Sequence, residues 1–276
     1  MPTVLVTGAA RGIGKSIVEH LAAGGWDVIA GVRNEQDASA ITKIDPQRVS
    51  SVLLDVTDAG HIAALSESLP PKLDAVVNNA GIVVGGAIET VSPDDWRKQL
   101  EVNVVGQLAV TQAVLPRLRQ SKGRIVFISS LNGRVSFPLL GAYCASKFAL
   151  EAAADALRME LRPWGIPVVL VEPAQTDTDI WRNADAVASE TEAALTPEHR
   201  ALYARHIKGM KKFIPVSQRM AVSPEKVSAV VEEALTARRP RARYAVGIGP
   251  KLQVALITTL PTRVRDRVLR RVSGQP

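Results

Sequence analysis

The residues with the clearest chemical use lie in one short stretch, AYCASKFAL, at residues 142–150. Tyr143 and Lys147 are four positions apart there, a spacing that places both side chains on one face of a helix. A nearby ammonium favours the charged form of a phenol, so Lys147 is predicted to lower the pKa of Tyr143. Such a phenol can give or take a proton near neutral pH. Alone, the pair is also compatible with an ordinary helix surface, so its meaning depends on what surrounds it.

A serine supports the chemical interpretation of this pair. Ser130 ends the strand-like segment FISS at 127–130, upstream of Tyr143. Ligands of open α/β sheets bind at the carboxyl ends of the strands. We therefore expect Ser130 to lie near Tyr143 at the mouth of a ligand cleft.

The elements that must position these residues alternate between short apolar runs and longer helical segments. The runs are continuously apolar, which is typical of parallel strands buried on both faces. This repeated βαβ pattern predicts an α/β fold, a single doubly wound (Rossmann) parallel sheet spanning residues 1–276. The predicted strands are 3–7, 27–32, 51–55, 74–78, 124–128, 167–171 and 243–247, and the predicted helices are 13–23, 58–68, 93–119, 143–162 and 223–235.

Two segments depart from the βαβ pattern. Residues 177–222, after the sixth strand, are too long for a plain connector and are predicted to be a partly helical insertion over the cleft. Residues 249–276 form a C-terminal extension that is predicted to be helical and broken at Pro261. Its valines, Val264, Val268 and Val272, share one face, which either packs on the protein or lies on an anionic membrane.

A glycine-rich loop, TGAARGIG, directly follows the first predicted strand at residues 7–14. Gly8, Gly12 and Gly14 allow a tight turn and close approach of the backbone to a pyrophosphate, which then lies at the N-terminus of the next helix. The strand before and the helix after this loop predict a dinucleotide site.

The charges around this loop indicate which dinucleotide binds. A free ribose hydroxyl is typically held by a carboxylate at the end of the second strand. The chain has Arg33 at that place, and Arg11 lies within the glycine loop. Because guanidinium groups pair well with phosphates, the two arginines favour NADP(H) over NAD(H).

The composition limits the other classes of function. The chain has 276 residues, 46% of them hydrophobic, and a single cysteine, which excludes an intrachain disulfide. Its net charge of +7 is compatible with nucleic-acid binding, but no aromatic residues interleave the basic runs, so a solvated surface is preferred. Its histidines have no metal-ligand spacing, and no metal site is predicted. Without a signal-like N-terminus, a cytoplasmic location is expected.

Taken together, these motifs resemble the short-chain dehydrogenase/reductase family over about residues 3–250. The matching motifs are TGAARGIG with Ile13, LDV at 54–56, NNAG at 78–81, Asn103 within NVVG, and Ser130 with Tyr143 and Lys147. The stretch YCASKFALE, the pair EP at 172–173 and the late RYAVG are most similar to the branch that contains 17β-hydroxysteroid and retinol dehydrogenases.

The resemblance implies a role for each matched residue. Tyr143 would exchange a proton with the substrate oxygen, Ser130 would orient that oxygen, and Lys147 would also hold the nicotinamide ribose. Asn103 would support a water chain that resupplies the proton. Further cofactor contacts are implied for Asp55, Val56, Asn79, Ala80, Gly81, Thr176 and Thr178.

One position departs from the family pattern. The family usually has Pro-Gly after the sixth strand, whereas this chain has Ala174 in EPAQTDT. Alanine resists positive φ, so the path of the loop over the nicotinamide is in question.

The function implied is an NADP(H)-dependent oxidoreductase that interconverts a secondary alcohol and a carbonyl. Residues 177–222, as an apolar lid, and the branch resemblance favour a lipophilic substrate such as a steroid or retinoid. The resemblance also implies a homodimer or homotetramer, with 93–119 and 143–162 at the interface. Two alternatives remain: an NADP(H)-sensing regulator without turnover, and a lyase or epimerase that uses bound cofactor catalytically.

Overall fold

The structure, a computed structural model, describes residues 1–178, 182, 184–247 and 257–276. Parts of the predicted insertion and residues 249–256 of the extension therefore lie outside the described residues. The strands are β1 Thr3–Thr7, β2 Asp27–Val32, β3 Val49–Leu53, β4 Ala75–Asn78, β5 Arg124–Ile128, β6 Val168–Glu172 and β7 Arg243–Ala245. The helices are α1 Gly12–Ala23, α2 Glu35–Thr42, α3 Ala59–Ser68, α4 Pro93–Leu100, α5 Gly106–Ser121, α6 Gly141–Glu160, α7 Ala184–Ala194, α8 Pro197–Arg219, α9 Pro224–Thr236 and α10 Thr262–Val272.

The seven strands form one parallel sheet in the order β3-β2-β1-β4-β5-β6-β7, which confirms the predicted doubly wound fold. Alternate residues of each strand enter two apolar layers on opposite faces. Val4 and Val6 of β1 pack with Ile17 of α1 and Val231 of α9. Leu5 lies in the other layer, with α5 and α6. Burial on both faces explains why the strand sequences are continuously apolar.

Most predicted strands were placed well, and β1, β2 and β5 have the predicted bounds. Strand β3 begins two residues earlier than predicted, and α2 was not predicted. Residues 93–119, expected as one helix, are divided by a π turn at Glu101–Val105 between α4 and α5. The Gly106 N–H donates to the Glu101 carbonyl, five residues back, which is the hydrogen bond that defines this turn.

The described part of the 177–222 insertion contains α7 and α8, so the predicted partly helical character is confirmed. The C-terminal chain packs against α8, where Gly274 contacts Gly209. The expectation that the valines of α10 pack on the protein holds only for Val268, which is half-buried. Val264 and Val272 are 41% and 61% exposed, whereas Leu269, on a neighbouring face, is 5% exposed and makes the packing contact.

Among the described residues, no helix combines the length and the apolar character needed to cross a membrane.

Candidate active site

The sheet order reverses between β1 and β4, which opens a crevice at the carboxyl ends of these strands. The glycine loop begins there, directly after β1. Gly8 has a φ of +62°, and a Cβ on it would lie 2.9 Å from the Ala80 Cα. Only glycine satisfies both the left-handed backbone and this close approach of the two loops. The loop therefore joins β1 to α1 in the way its sequence predicts.

The segment after β4 is fastened to the same loop. The Thr7 hydroxyl accepts hydrogen bonds from the N–H groups of Asn79 and Ala80, both at 3.0 Å. The Asn79 side chain donates to the carbonyls of Thr7 at 3.0 Å and Gly8 at 3.1 Å. Thr7 was not among the predicted site residues. As a fully buried hydroxyl at a strand end it gives only a weak sequence signal.

The predicted ribose and adenine residues meet at the ends of β2 and β3. Arg33, exposed directly after β2, lies close enough to Asp55 to act on its pKa. Partial burial would raise the pKa of Asp55, but hydrogen bonds from Thr57 and the charges of Arg33 and His61 outweigh it, and the pKa is lowered. The Asp55 Oδ1 accepts from the Thr57 N–H at 2.9 Å and hydroxyl at 2.7 Å. Val56 follows and is buried, with its carbonyl next to Gly106.

The predicted catalytic side chains come together where β5 meets α6. Ser130 lies two residues past β5 and lines the same cavity as Tyr143, and its hydroxyl accepts from the Asn132 N–H at 3.1 Å. The Lys147 Nζ lies 5.9 Å from the centre of the Tyr143 ring and donates to the Ile128 carbonyl at 2.9 Å. Lys147 is only 5% exposed. The helix spacing and the strand end thus place all three residues as the sequence predicts.

The predicted direction of the Tyr143 pKa is wrong for the protein in this state. Burial raises the pKa of Tyr143 to about 12, since the nearby Ser130 hydroxyl lowers it by less and Cys144 adds to the rise. Burial also lowers the pKa of Lys147 to about 8, against the opposing effect of Glu151. The lysine is directed to the Ile128 carbonyl, so desolvation outweighs any ammonium effect on the phenol.

Asn103 lies in the π turn and is fully buried. Its Oδ1 accepts from the Ile82 N–H at 2.8 Å, and its Nδ2 donates to the Ile82 carbonyl at 3.0 Å and to Ser146 at 3.1 Å. Gln99 and Gln107, four residues to either side, hold the same loop. Gln99 accepts from the Val84 N–H at 2.7 Å, and Gln107 donates to the Ala80 carbonyl at 2.6 Å.

These three amides form a row along α4, the π turn and α5 that fixes the chain after β4. Sequence reasoning found Asn103 and missed the two glutamines. Their spacing of four residues from Asn103, on one face of the predicted helix 93–119, was the available signal. Gly81 lies beside this row, and a Cβ added to Gly81 would lie 3.4 Å from the Asn103 Oδ1.

The loop after β6 accommodates the departure at Ala174. Among the described residues, only Lys122 and Leu139 have positive φ without being glycine, so Ala174 is not strained. Thr176 and Thr178 follow it and are 2% and 8% exposed. The Thr178 side chain lies next to Gly12, because a Cβ added to Gly12 would lie 3.3 Å from the Thr178 Cγ2. This contact brings the loop to the start of α1, next to Ile13.

A cavity of about 170 Å³ lies between these elements. Its walls are mostly apolar and include several hydroxyl and amide groups. The lining residues are Ile13, Val83, Ser129, Ser130, Leu131, Asn132, Val135, Phe137, Tyr143, Pro173, Ala174, Gln175, Thr176, Thr178 and Ile257.

Helix α8 of the insertion contacts this cavity wall through an aromatic pair. Phe213 of α8 stacks on Phe137, with ring centres 6.5 Å apart and planes at 22°. A second contact joins the Tyr203 hydroxyl to Glu89 at 2.7 Å. The exposed face of α8 combines basic residues with apolar ones, among them Leu202 and Val216, which are 62% and 51% exposed.

The residues present fit a dinucleotide. The N-terminus of α1 has no side-chain cap at Arg11 and no acidic residue in its first turn, so its N–H groups remain available to a phosphate. Arg11 and Arg33 are exposed cations beside it.

The fold and this arrangement define a class, the doubly wound nucleotide-binding proteins with a serine, tyrosine and lysine at the switch point. The family model described as short chain dehydrogenase matches residues 2–188. The chain belongs to the short-chain dehydrogenase family, which confirms the resemblance drawn from its motifs.

Curated relatives cover nearly the whole chain. Retinol dehydrogenase 5 of Mus musculus is 33% identical over 287 residues, covering 99% of this chain and 89% of the relative. NADPH-dependent 3-dehydrocapnine reductase of Ornithobacterium rhinotracheale is 32% identical over 278 residues, covering 97% and 96%. The first of these supports the predicted branch.

Solved structures show the same fold. A short-chain dehydrogenase from Streptomyces avermitilis superposes with a TM-score of 0.78 at 28% identity, covering 99% of this chain and 97% of that one. A variant of actinorhodin polyketide ketoreductase with NADPH gives a TM-score of 0.75 at 26% identity, covering 90% and 97%.

Proposed function

We propose that the protein is an NADP(H)-dependent oxidoreductase that interconverts a secondary alcohol and a carbonyl, with Tyr143 as the general acid/base. The observation that carries this proposal is the meeting of Ser130, Tyr143 and Lys147 beside a mostly apolar cavity at the switch point of the sheet. Family membership supports the reaction class.

The side chains divide the work in the reductive direction. A bound nicotinamide cofactor supplies the hydride. Tyr143, whose pKa is raised to about 12, carries its proton at neutral pH and gives it to the carbonyl oxygen. Ser130, which lines the same cavity as the phenol, would orient that oxygen. Lys147 would supply positive charge while the phenol loses its proton, once its ammonium faces the tyrosine.

The preference for NADP(H) rests on the two arginines. Arg11 and Arg33 lie at the glycine loop and at the end of β2, where no carboxylate stands to hold a free ribose hydroxyl. The similarity to a relative named as NADPH-dependent and to a ketoreductase with NADPH supports the same preference.

The substrate is proposed to be lipophilic, such as a steroid or retinoid. Val83, Leu131, Val135, Phe137 and Ile257 provide apolar walls around the catalytic hydroxyls. The similarity to retinol dehydrogenase 5 points the same way.

The experiment that tests this function is NADPH oxidation at 340 nm with a panel of lipophilic ketones, aldehydes and quinones. We expect Tyr143→Phe to reduce turnover about 100-fold or more, since general acid/base groups contribute about 10²–10⁴-fold. NADPH binding, followed by fluorescence, should persist. Tyr244→Phe is the matched control, because its hydroxyl accepts from the Arg241 N–H, outside the site.

Equal turnover in wild type and Tyr143→Phe would contradict the proposed acid. Tight NADPH binding without turnover of any panel member would instead favour the NADP(H)-sensing alternative.

A further inference from the structure

A buried cluster of charged residues lies next to the catalytic helix, and the proposed mechanism does not use it. Arg243 of β7 donates to Glu151 at 2.9 Å and to Asp155 at 2.7 Å, both on α6. It also lies 3.3 Å from Glu172, the last residue of β6, which in turn lies 3.4 Å from Arg134. The Glu151 and Glu172 side chains are 7% and 4% exposed.

Glu151 stands one helical turn after Lys147, on the same face of α6. Both residues pack around Gly133, whose would-be Cβ lies 2.8 Å from the Glu151 Cγ and 3.2 Å from the Lys147 carbonyl. The Lys147 ammonium reaches the end of β5 at Ile128. Glu151 reaches Arg243, which lies beside Glu172 at the end of β6, the neighbouring strand in which Val171 pairs with Ile128. The ammonium of Lys147 has the Ile128 carbonyl as its hydrogen-bond acceptor, and a carbonyl carries no full charge to offset it.

The carboxylate of Glu151 is incompletely paired. Its Oε2 accepts from Arg243, whereas its Oε1 is buried and has no hydrogen-bond partner among the described residues. Because the Glu151 side chain is 7% exposed and Lys147 is 5% exposed, little solvent screens the attraction between this carboxylate and the ammonium.

Other charged and titratable groups lie on α6 and on the elements that carry its ion-pair partners. They are Tyr143, Cys144, Asp155 and Arg158 on α6, Arg134 after β5, Glu172 on β6 and Arg243 on β7. On the buried face of α6, Glu151 is the charged residue that follows Lys147 most closely in the chain. Asp155, a further turn away, is only half-buried, since its side chain is 36% exposed.

We propose that Glu151 is a positioning residue that keeps the buried Lys147 side chain positively charged, and that Arg243 limits how strongly its carboxylate acts. The inference rests on the proposed role of Lys147 beside Tyr143. It extends the site to a strand, β7, that does not contact the cavity.

The direct test is an NMR titration of the protein with ¹³C-labelled lysine, following the resonance that disappears in Lys147→Arg. It needs neither substrate nor cofactor. The wild-type resonance should titrate near pH 8, whereas exposed lysines titrate near pH 10.4. In Glu151→Gln the midpoint should fall by about one pH unit, because the anion that favours the ammonium is gone.

Asp155→Asn is the matched control. It also removes a carboxylate that accepts from Arg243 on the same helix, and we expect it to leave the Lys147 midpoint unchanged. Arg243→Gln should move the midpoint upward, since it removes the cation that offsets Glu151. This opposite sign keeps the proposal testable even where Glu151→Gln does not fold, as judged by circular dichroism.

An unchanged midpoint in Glu151→Gln, or equal shifts in Glu151→Gln and Asp155→Asn, would overturn the proposal. So would a midpoint that stays fixed in Arg243→Gln. The pH dependence of NADPH oxidation gives a second readout, in which the alkaline limb for Glu151→Gln should lie at lower pH than for wild type. Failure of the proposed function itself is distinguishable, because it shows as turnover that survives Tyr143→Phe while the Lys147 titration still shifts.

Discussion

At the scale of single residues, Arg33 offers the most specific test of the cofactor. Charge-assisted hydrogen bonds contribute about 1.5–3 kcal/mol, which corresponds to about 10- to 100-fold in kcat/KM. We expect Arg33→Ser to lower kcat/KM for NADPH by that factor and to leave the value for NADH nearly unchanged. Steady-state kinetics with both cofactors measure this difference.

Arg97→Ser is the control for net charge, since Arg97 is an exposed arginine on α4 that pairs with Asp94. It should change neither cofactor's kinetics. If Arg33→Ser lowered kcat/KM equally for NADPH and NADH, Arg33 would stabilise the loop in general and would not be the phosphate contact.

The single residues also show which chemical properties could not be predicted from the sequence. The placing of Tyr143 and Lys147 followed from helical spacing alone, but the direction of the Tyr143 pKa did not, because it depends on burial that no local pattern reveals. Arg243 and Glu151 are 92 positions apart, so their contact exists only once α6 and β7 have packed together.

At the scale of elements, the row of buried amides on α4, the π turn and α5 stabilises the loop after β4. Gln99→Leu removes the acceptor of the Val84 N–H and one donor to the Ile82 carbonyl. Leaving buried polar groups unpaired costs about 1–3 kcal/mol each, so the free energy of unfolding should fall by at least that amount. Urea unfolding followed by circular dichroism measures it.

Gln112→Leu, at an exposed position of α5, makes the same chemical change without burial. It should alter the free energy of unfolding by less than about 0.5 kcal/mol. Equal effects of the two variants would mean that Gln99 contributes nothing beyond a surface amide.

Elements were predictable from sequence where one physical cause dominated. Strands β1, β2 and β5 are apolar throughout because both faces are covered, and their bounds were found. Helix α2 was missed because only Ala38 and Ile41 are buried, too few for a recognisable face. The π turn leaves no mark in the apolar pattern, since it shifts the helix by a single residue.

At the scale of the whole molecule, α6 leaves an apolar stripe exposed. Ala145, Phe148, Ala152, Ala156 and Met159 recur at intervals of three or four residues and all face solvent. Val105, at the end of the π turn, is 49% exposed. We propose that this stripe forms the interface of a homodimer or homotetramer, as the family resemblance implies, because close helix packing favours small residues with a few large apolar anchors.

The centre of this stripe can be disrupted by a single charge. A stable interface buries about 800 Å² per partner, so a long cation at its centre should separate the subunits. We expect Ala152→Arg to yield monomers by light scattering coupled to size exclusion, with the wild-type circular dichroism spectrum retained because residue 152 is exposed. Ala23→Arg, at an exposed site on α1, adds the same charge and should leave the oligomer intact. A wild-type protein that is monomeric at micromolar concentration, or an Ala152→Arg variant that remains oligomeric, would place any interface elsewhere and leave the α6 stripe as plain surface.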